Sequence, residues 1–152
     1  MPAGYSTKVA EHLAKITGKP IVPATDMFAA TWDQQGFVVY SNEAKQALLG
    51  VPESVLREHG AVSGPSADAM ARGARERAGT DIGVAVTGIA GPDGGTKEKP
   101  VGYVCVCVKA ADGRAIARDP VIPGGRDDIR ERSALVGMHL LRMLLGGDEP
   151  PL

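Results

Sequence analysis

Two segments of the chain carry residue types that could act chemically on an organic substrate. The first is Tyr40–Lys45, which lies where a strand candidate at residues 36–40 turns into a helix candidate at residues 43–49. Lys45 near the helix start and Tyr40 at the strand end could converge, and a lysine sheltered from water can lose its proton easily enough to serve as a base. The alternative is a solvated helix lysine beside a packed tyrosine.

The second segment is the glycine-rich run Thr87–Gly95, which follows a buried strand candidate at residues 81–87. Glycine permits backbone conformations closed to other residues and lets main-chain N–H groups approach a ligand. In an α/β sheet, ligands gather at the carboxyl ends of strands, where this run begins. The run contains neither G-x-x-x-x-G-K-[ST] nor G-x-G-x-x-G, so it is a ligand loop of another kind or a long structural connection. Its candidate ligand-binding residues are Thr87, Gly88, Gly91, Gly94 and Gly95.

Two arginines at a predicted helix start form a third candidate site. A glycine pair precedes the helix candidate at residues 127–145, and Arg126 and Arg130 lie at its beginning. A glycine pair that leads into a helix amino terminus can hold a phosphate when arginines are close by. The alternative is helix capping by Asp127 with ion pairs on the surface.

The two cysteines of the chain, Cys105 and Cys107, lie in an apolar run. On a strand, residues two apart share one face, so the thiols lie side by side without the geometry of a relaxed disulfide. We expect two reduced core cysteines; the alternative is half of a metal site. No compact set of Cys and His ligands accompanies them, and we expect no metal.

The pattern of apolar and turn-forming residues predicts alternating helices and strands. Helices are expected at residues 6–17, 43–49, 52–59, 66–78 and 127–145, and strands at residues 36–40, 81–87, 101–109 and 114–122, the last two joined by a hairpin turn at residues 111–113. The last helix is expected to bury Ile129, Leu135, Met138, Leu141 and Leu145. Together these elements predict an α/β fold: a three-layer α/β/α sandwich with a mixed, mainly parallel sheet.

Length and composition limit the classes of protein to which the chain can belong. With 152 residues, of which 43% are hydrophobic, we expect a single domain over residues 1–152, with a frayed tail at residues 146–152. A net charge of -1 gives no basic surface for nucleic acid. No apolar run is long enough to span a membrane and no secretion signal begins the chain, so a cytoplasmic protein is expected.

Several motifs, in their order and spacing, resemble the CinA C-terminal domain family. They are Gly36–Lys45, Leu49–Val51, His59–Ser63, Thr87–Gly95 and Lys99–Gly102, and the resemblance extends from about residue 25 to residue 145. It implies a cofactor-free hydrolase that deamidates nicotinamide mononucleotide, releasing nicotinate mononucleotide and ammonia, and that forms homo-oligomers.

The resemblance also assigns roles to individual residues. The family uses a serine nucleophile, a lysine base and an assisting tyrosine, and Lys45 and Tyr40 match the last two by position. The glycine-rich run matches the family loop that lines the same pocket. Arg126 and Arg130 fall at the arginine-bearing helix start.

The nucleophile region departs from the family pattern. Family members carry an A-E-S-C-T-G-G-type motif followed by a helix and a G-S-S-type segment, whereas this chain has no serine between Ser6 and Ser41 and is shorter there. Gly64 also stands where the family usually has glutamate. Two functions therefore remain open: an active amidase, or a catalytically degenerate member that binds a nucleotide or serves as an oligomeric structural module.

Thr31 is the preferred substitute for the missing serine. The nucleophile must be a hydroxyl or thiol within reach of the base, which leaves Thr25 and Thr31 once the strand cysteines are set aside. Alignment on the segment that follows, without a gap, places Ala30 at the G-S-S serine, whereas a one-residue deletion before Trp32 places Thr31 there. The alternative is that Thr31 only caps or packs beside Trp32.

If Thr31 is the nucleophile, Thr31→Ala abolishes release of ammonia from nicotinamide mononucleotide and Thr31→Ser accelerates it. The reason is that the threonine methyl group restricts the rotamer and crowds the approach to a carbonyl carbon. Steady-state ammonia assays of the two variants test this, with Thr25→Ala as the matched control. Activity that survives Thr31→Ala contradicts the assignment.

Overall fold

The computed structural model describes the backbone of residues 21–25 and both backbone and side chains of residues 36–146. The helix expected at residues 6–17, the candidate nucleophile Thr31 and the tail after residue 146 lie outside the described residues. Everything that follows concerns the described part of the chain.

The described strands form one five-stranded sheet. They are β1 (Ile21–Thr25), β2 (Phe37–Val38), β3 (Ile82–Gly88), β4 (Val104–Ala110) and β5 (Ala115–Arg118), arranged in the order β2-β1-β3-β4-β5. Strand β1 runs parallel to both β2 and β3, whereas β4 runs antiparallel to β3 and β5. The α/β class and the mixed sheet are confirmed; the sheet differs slightly from the expectation in that two of its four strand pairings are antiparallel, because β4 returns directly after a loop and then forms a hairpin with β5.

Strand β1 was not predicted from the sequence. It lies inside the sheet, where Ile21 pairs with Ile82 and Thr25 pairs with Val86. Proline lacks the N–H group that a sheet interior requires, and Pro23 lies within this segment. The local sequence pattern therefore argues against a strand at this position. The strand forms because it pairs with β2 on one side and with β3 on the other.

The described helices match the predicted ones to within two residues at each end. They are α1 (Asn42–Leu49), α2 (Glu53–His59), α3 (Gly64–Ala78) and α4 (Arg126–Gly146). Ser41 caps α1 by accepting the N–H of Ala44, and α1 ends at Gly50 in the left-handed conformation, with φ of 65°. Local capping signals therefore define the helix that carries Lys45.

Helices cover both faces of the sheet, which confirms the three-layer arrangement. Helices α1, α2 and α3 share a core with Ala85, Cys105 and Cys107 on one face. Helix α4 shares a second core with the alternate residues of β3 and β4, such as Val86 and Val106, on the other. None of the described helices is long and apolar enough to cross a membrane.

The buried face of α4 differs from the predicted stripe. Leu135, which was expected in the core, is 46% exposed. The helix instead turns Ser133 and Gly137 toward the sheet, and a Cβ atom on Gly137 would lie 3.5 Å from a methyl group of Val84. The expectation for Leu135 is wrong because small residues allow this helix to approach the strands closely.

Two glycines allow α3 to pack between the sheet and α1. A methyl group on Gly73 would overlap the carbonyl group of Leu49 at the end of α1. A methyl group on Gly83 of β3 would overlap the carbonyl group of Ala71 in α3. The position of α1, and of the lysine it carries, therefore depends on the absence of side chains at these crossings.

Replacement of Gly73 by alanine is expected to lower the free energy of unfolding by about 1–3 kcal/mol, because backbone must move to admit the methyl group. Gly64→Ala in the same helix is the matched control. A Cβ atom at Gly64 meets nothing within 4 Å, and alanine there should be neutral or stabilising by about 0.5–1 kcal/mol. Urea unfolding of both variants measures the difference, and equal effects would contradict the packing argument.

Candidate functional site

Lys45 is buried at the start of α1, with 1% of its surface exposed. Its Nζ donates to the carbonyl oxygen of Val39 at 2.8 Å and lies 3.5 Å from that of Tyr40. Ser41 caps the helix, and the turn at this position directs the side chain of Lys45 back to the end of strand β2. The expected convergence of lysine and strand end is therefore observed, and main-chain carbonyls hold the amine.

The Tyr40 side chain faces solvent and is 62% exposed. The sequence alternative, a solvated lysine beside a packed tyrosine, is the reverse of what the structure shows. Tyr40 therefore presents an exposed aromatic ring beside the main-chain carbonyls that hold the buried amine of Lys45. Tyr40 reaches Lys45 through its carbonyl oxygen, and a role for its hydroxyl stays a prediction.

The glycine-rich run begins a loop, residues 89–102, which is closed at its base by two main-chain hydrogen bonds. The N–H of Ile89 donates to the carbonyl of Tyr103 at 3.0 Å, and the N–H of Gly102 donates to the carbonyl of Ile89 at 2.7 Å. Gly91 adopts a φ of 78° and packs on the side chain of Val101. This excursion, which we call the glycine loop, therefore has a defined conformation.

Main-chain donors of the glycine loop are exposed near its tip. Gly94 and Gly95 are exposed, and within the described part of the chain their N–H groups make no main-chain hydrogen bond. A Cβ atom on Gly95 would lie 2.7 Å from the nitrogen of Val101, so glycine is required for the loop to fold back. These N–H groups are available to an anion or an oxyanion.

Thr87 is fully buried at the end of β3. Its hydroxyl donates to the carbonyl oxygen of Ala61, in the connection between α2 and α3, at 3.0 Å. Thr87 thus fixes the point from which the glycine loop departs. Direct contact of Thr87 with a substrate stays a prediction.

Arg126 contacts the glycine loop from the other side of the sheet. Its Nη1 donates to the carbonyl oxygen of Gly91 at 2.8 Å. Arg130 lies one turn later, and its buried Nε has no hydrogen-bond partner. Asp128, in the first turn of α4, accepts the N–H of Gly125 at 3.0 Å, so a carboxylate of the helix already caps this end. A phosphate role for the two arginines stays a prediction.

The parallel strands bring the candidate residues to one edge of the sheet. The carboxyl ends of β2, β1 and β3 are neighbours, since Val38 pairs with Thr25 and Thr25 pairs with Val86. Val39 and Tyr40, which hold Lys45, follow β2 directly. The glycine loop follows β3, two strands and therefore about 10 Å away.

Lys99 is a residue that motif analysis noted without assigning it a role. Its Nζ donates to the carbonyl oxygen of His59, at the end of α2, at 2.6 Å. No sequence signal could reveal this contact, because the acceptor is a main-chain atom forty residues away. The contact ties the far limb of the glycine loop to the layer of helices that contains Lys45.

A separate groove of about 670 Å³ lies between the end of β5 and the outer surface of α4. Its lining includes Arg118, Asp119, Leu135, His139 and Met143. It is open and mainly apolar, and its residues lie on the sheet face opposite Lys45. It shares no residue with the candidate site, so we place the chemistry at the strand ends instead. Among the described residues, no group of three His, Cys, Asp or Glu side chains could hold a metal ion.

Residues 25–145 match the family described as the CinA C-terminal domain. The chain belongs to this family. It is 60% identical over 110 residues to a CinA-like protein of Mycobacterium marinum and 58% identical over 110 residues to one of Mycobacterium tuberculosis. Each alignment covers 72% of this chain and 26% of the relative, so the chain spans about a quarter of the length of these curated relatives.

Solved structures of the CinA superfamily share the fold. The competence/damage inducible protein CihA of Agrobacterium tumefaciens is 32% identical, with a TM-score of 0.80 over 93% of this chain and 94% of that one. A CinA superfamily protein of Enterobacter cloacae is 26% identical, with a TM-score of 0.78 over 94% of this chain and 91% of that one. The glycine loop and the turn at Lys45 thus belong to a known domain architecture.

The cysteines of this CinA C-terminal domain are reduced thiols buried in the core of β4. Burial, reinforced by the carboxylate of Asp68, raises the pKa of the Cys107 thiol to about 12, although the neighbouring Lys109 opposes the shift. The thiol is therefore protonated throughout the neutral range and is a poor nucleophile. Cys105 is equally inaccessible, with 1% exposed.

Native protein is expected to resist thiol reagents between pH 7 and 9. An exposed cysteine, with a pKa of about 8.5, would react faster across this range, whereas a thiol with a raised pKa gains almost no thiolate there. Labelling with a chromogenic disulfide reagent measures the rate, and protein unfolded in guanidinium is the control, in which both thiols should react at once. Rapid labelling of the native protein would contradict the assignment of these residues to the core.

Proposed function

We propose that this domain is an amidase that hydrolyses the carboxamide of nicotinamide mononucleotide to nicotinate mononucleotide and ammonia. The observation that supports it best is that a buried lysine and the glycine loop both follow the carboxyl ends of neighbouring parallel strands. Ligands of open α/β sheets bind at such strand ends.

Acyl transfer from the amide requires two proton transfers, and in this proposal Lys45 performs both. A hydroxyl attacks the carboxamide carbon while the amine of Lys45 takes its proton, and the same proton then passes to the amide nitrogen, which leaves as ammonia. Water hydrolyses the resulting ester, releases the carboxylate and restores the hydroxyl. The carbonyl of Val39 fixes the position of the amine, and burial excludes bulk water from it.

The glycine loop and the arginines supply the charge complementarity that the reaction needs. Exposed N–H groups of Gly94 and Gly95 can stabilise the oxyanion that forms at the amide oxygen. The substrate phosphate calls for a cation; the guanidinium group of Arg126 contacts the loop at Gly91, and Arg130, one turn later in the same helix, is the second candidate. In this proposal the ring of Tyr40, which is exposed, stacks against the pyridine ring of the substrate.

The nucleophile is the hydroxyl of Thr31 in this proposal. Strand β1 ends at Thr25, beside Val86 of β3, so the segment that carries Thr31 starts next to the glycine loop. It ends where β2 begins, and β2 leads to the carbonyls that hold Lys45.

A second candidate function is a nucleotide-binding module that does not turn over its ligand. The observation in its favour is the absence of serine between residues 6 and 41, where the family has its nucleophile. Calorimetry with nicotinamide mononucleotide separates the two functions when it is combined with an ammonia assay. Binding without product formation favours the module, and product formation favours the amidase.

Replacement of Lys45 by methionine is expected to reduce the rate of ammonia release by about 100-fold or more, because general acid–base catalysis is lost. Methionine retains the apolar length of the side chain, so the buried position remains filled. Arg142→Met, at an exposed position of α4 on the other face of the sheet, is the matched control and should retain activity. Unchanged kcat/KM in folded Lys45→Met protein would exclude Lys45 as the base.

A further inference from the structure

The connection between α2 and α3 presents three consecutive main-chain carbonyl oxygens to three different parts of the fold. Lys99 Nζ donates to the carbonyl oxygen of His59 at 2.6 Å, Ser63 Oγ donates to that of Gly60 at 2.9 Å, and Thr87 Oγ1 donates to that of Ala61 at 3.0 Å. One donor comes from the glycine loop, one from the cap of α3 and one from the end of β3. We call this segment, residues 59–61, the carbonyl segment.

Lys99 reaches the carbonyl segment from a tight turn in the glycine loop. The N–H of Thr96 donates to the carbonyl of Lys99 at 2.8 Å, and the N–H of Lys99 donates to the hydroxyl of Thr96 at 3.0 Å. The turn therefore fixes the backbone of Lys99, and the side chain of Lys99 links the turn to the end of α2. Gly94 and Gly95, with their exposed N–H groups, lie directly before this turn.

The acceptor suits a cation. Carbonyl groups in the last turn of a helix lack intrahelical partners, and His59 is the last residue of α2. An ammonium group at such a position satisfies a carbonyl that water would otherwise solvate. Gly60 adopts a φ of 80°, which lets the chain turn away at the end of the helix and leaves room for the lysine.

We propose that Lys99 is a positioning residue that latches the glycine loop onto the carbonyl segment and so holds its N–H donors over the site. The base of the loop is closed independently by Ile89 and Gly102, and Arg126 holds Gly91. Loss of the Lys99 contact would therefore release the tip alone. The effect on substrate rests on the proposed amidase function, whereas the effect on loop conformation does not.

Limited proteolysis tests the latch without any assumption about activity. Lys97 is exposed in the tip, and the Lys99–Pro100 bond is resistant to trypsin, so cleavage after Lys97 reports on opening. In Lys99→Met, this cleavage is expected to be about tenfold faster than in the unmodified protein, since one charged hydrogen bond is lost. Lys99→Arg retains a cationic donor and should restore slow cleavage.

His59→Gln is the matched control. The acceptor is the main-chain carbonyl of this residue, so a change of side chain should leave the rate of cleavage unaltered. Equal rates for Lys99→Met and the unmodified protein overturn the latch. Hydrogen exchange completes the test: faster exchange confined to residues 89–103 supports the latch, and faster exchange that extends through α4 overturns it, because the variant is then globally destabilised.

Kinetics with nicotinamide mononucleotide provide the second readout. If the loop is open for most of the time, it must close before the oxyanion donors can act, so kcat/KM is expected to fall about tenfold in Lys99→Met and to recover in Lys99→Arg. An unchanged kcat/KM in Lys99→Met, or no recovery in Lys99→Arg, overturns the positioning role. If the unmodified protein neither binds nor hydrolyses the nucleotide, the proposed function fails, and proteolysis still decides the latch.

Discussion

Helix α3 lies against strand β3 and helix α1 at the same time because no side chain stands at either crossing. Gly83 admits the backbone of α3 at the sheet, and Gly73 admits the backbone of α1 at the helix. These contacts place α1 close to the sheet edge, where its lysine can be covered. Burial of a long cationic side chain is costly unless its polar atoms are satisfied, and the carbonyl of Val39 provides a partner. The candidate site thus depends on backbone packing several residues away.

Local signals in the sequence were sufficient for most of the described elements. Ser41 and Gly50 bound α1, and the turn at residues 111–113 joins β4 to β5, because caps and turns are decided by neighbouring residues. Strand β1 escaped prediction because its stability comes from pairing on both sides. The buried face of α4 was not predicted correctly because the periodicity argument counts large apolar residues, whereas the small residues Ser133 and Gly137 lie on the buried face.

The candidate site was predictable in its location and only partly in its contacts. Strand order could not be read from the sequence, yet the rule that ligands lie at strand ends placed Lys45 and the glycine loop on the same edge. The interactions of Arg126 and Lys99 with carbonyl oxygens leave no trace in residue patterns, because every residue offers the same acceptor. Gly64, which departs from the family glutamate, leaves open space above it, and Ser63 still caps α3. This departure is therefore compatible with the fold.

The carbonyl segment also has a consequence for how this domain tolerates sequence change. Its three acceptors belong to the main chain, so they persist whatever side chains residues 59 and 61 carry, and the positive φ of Gly60 is the only local demand on residue type. The contacts that join the layers depend on the donors Lys99 and Thr87, which lie 40 and 26 residues from their acceptors, whereas Ser63 donates within the same connection. Substitutions at residues 59 and 61 therefore leave the acceptors in place, whereas substitution of the Lys99 or Thr87 side chain removes a hydrogen bond between two layers of the fold.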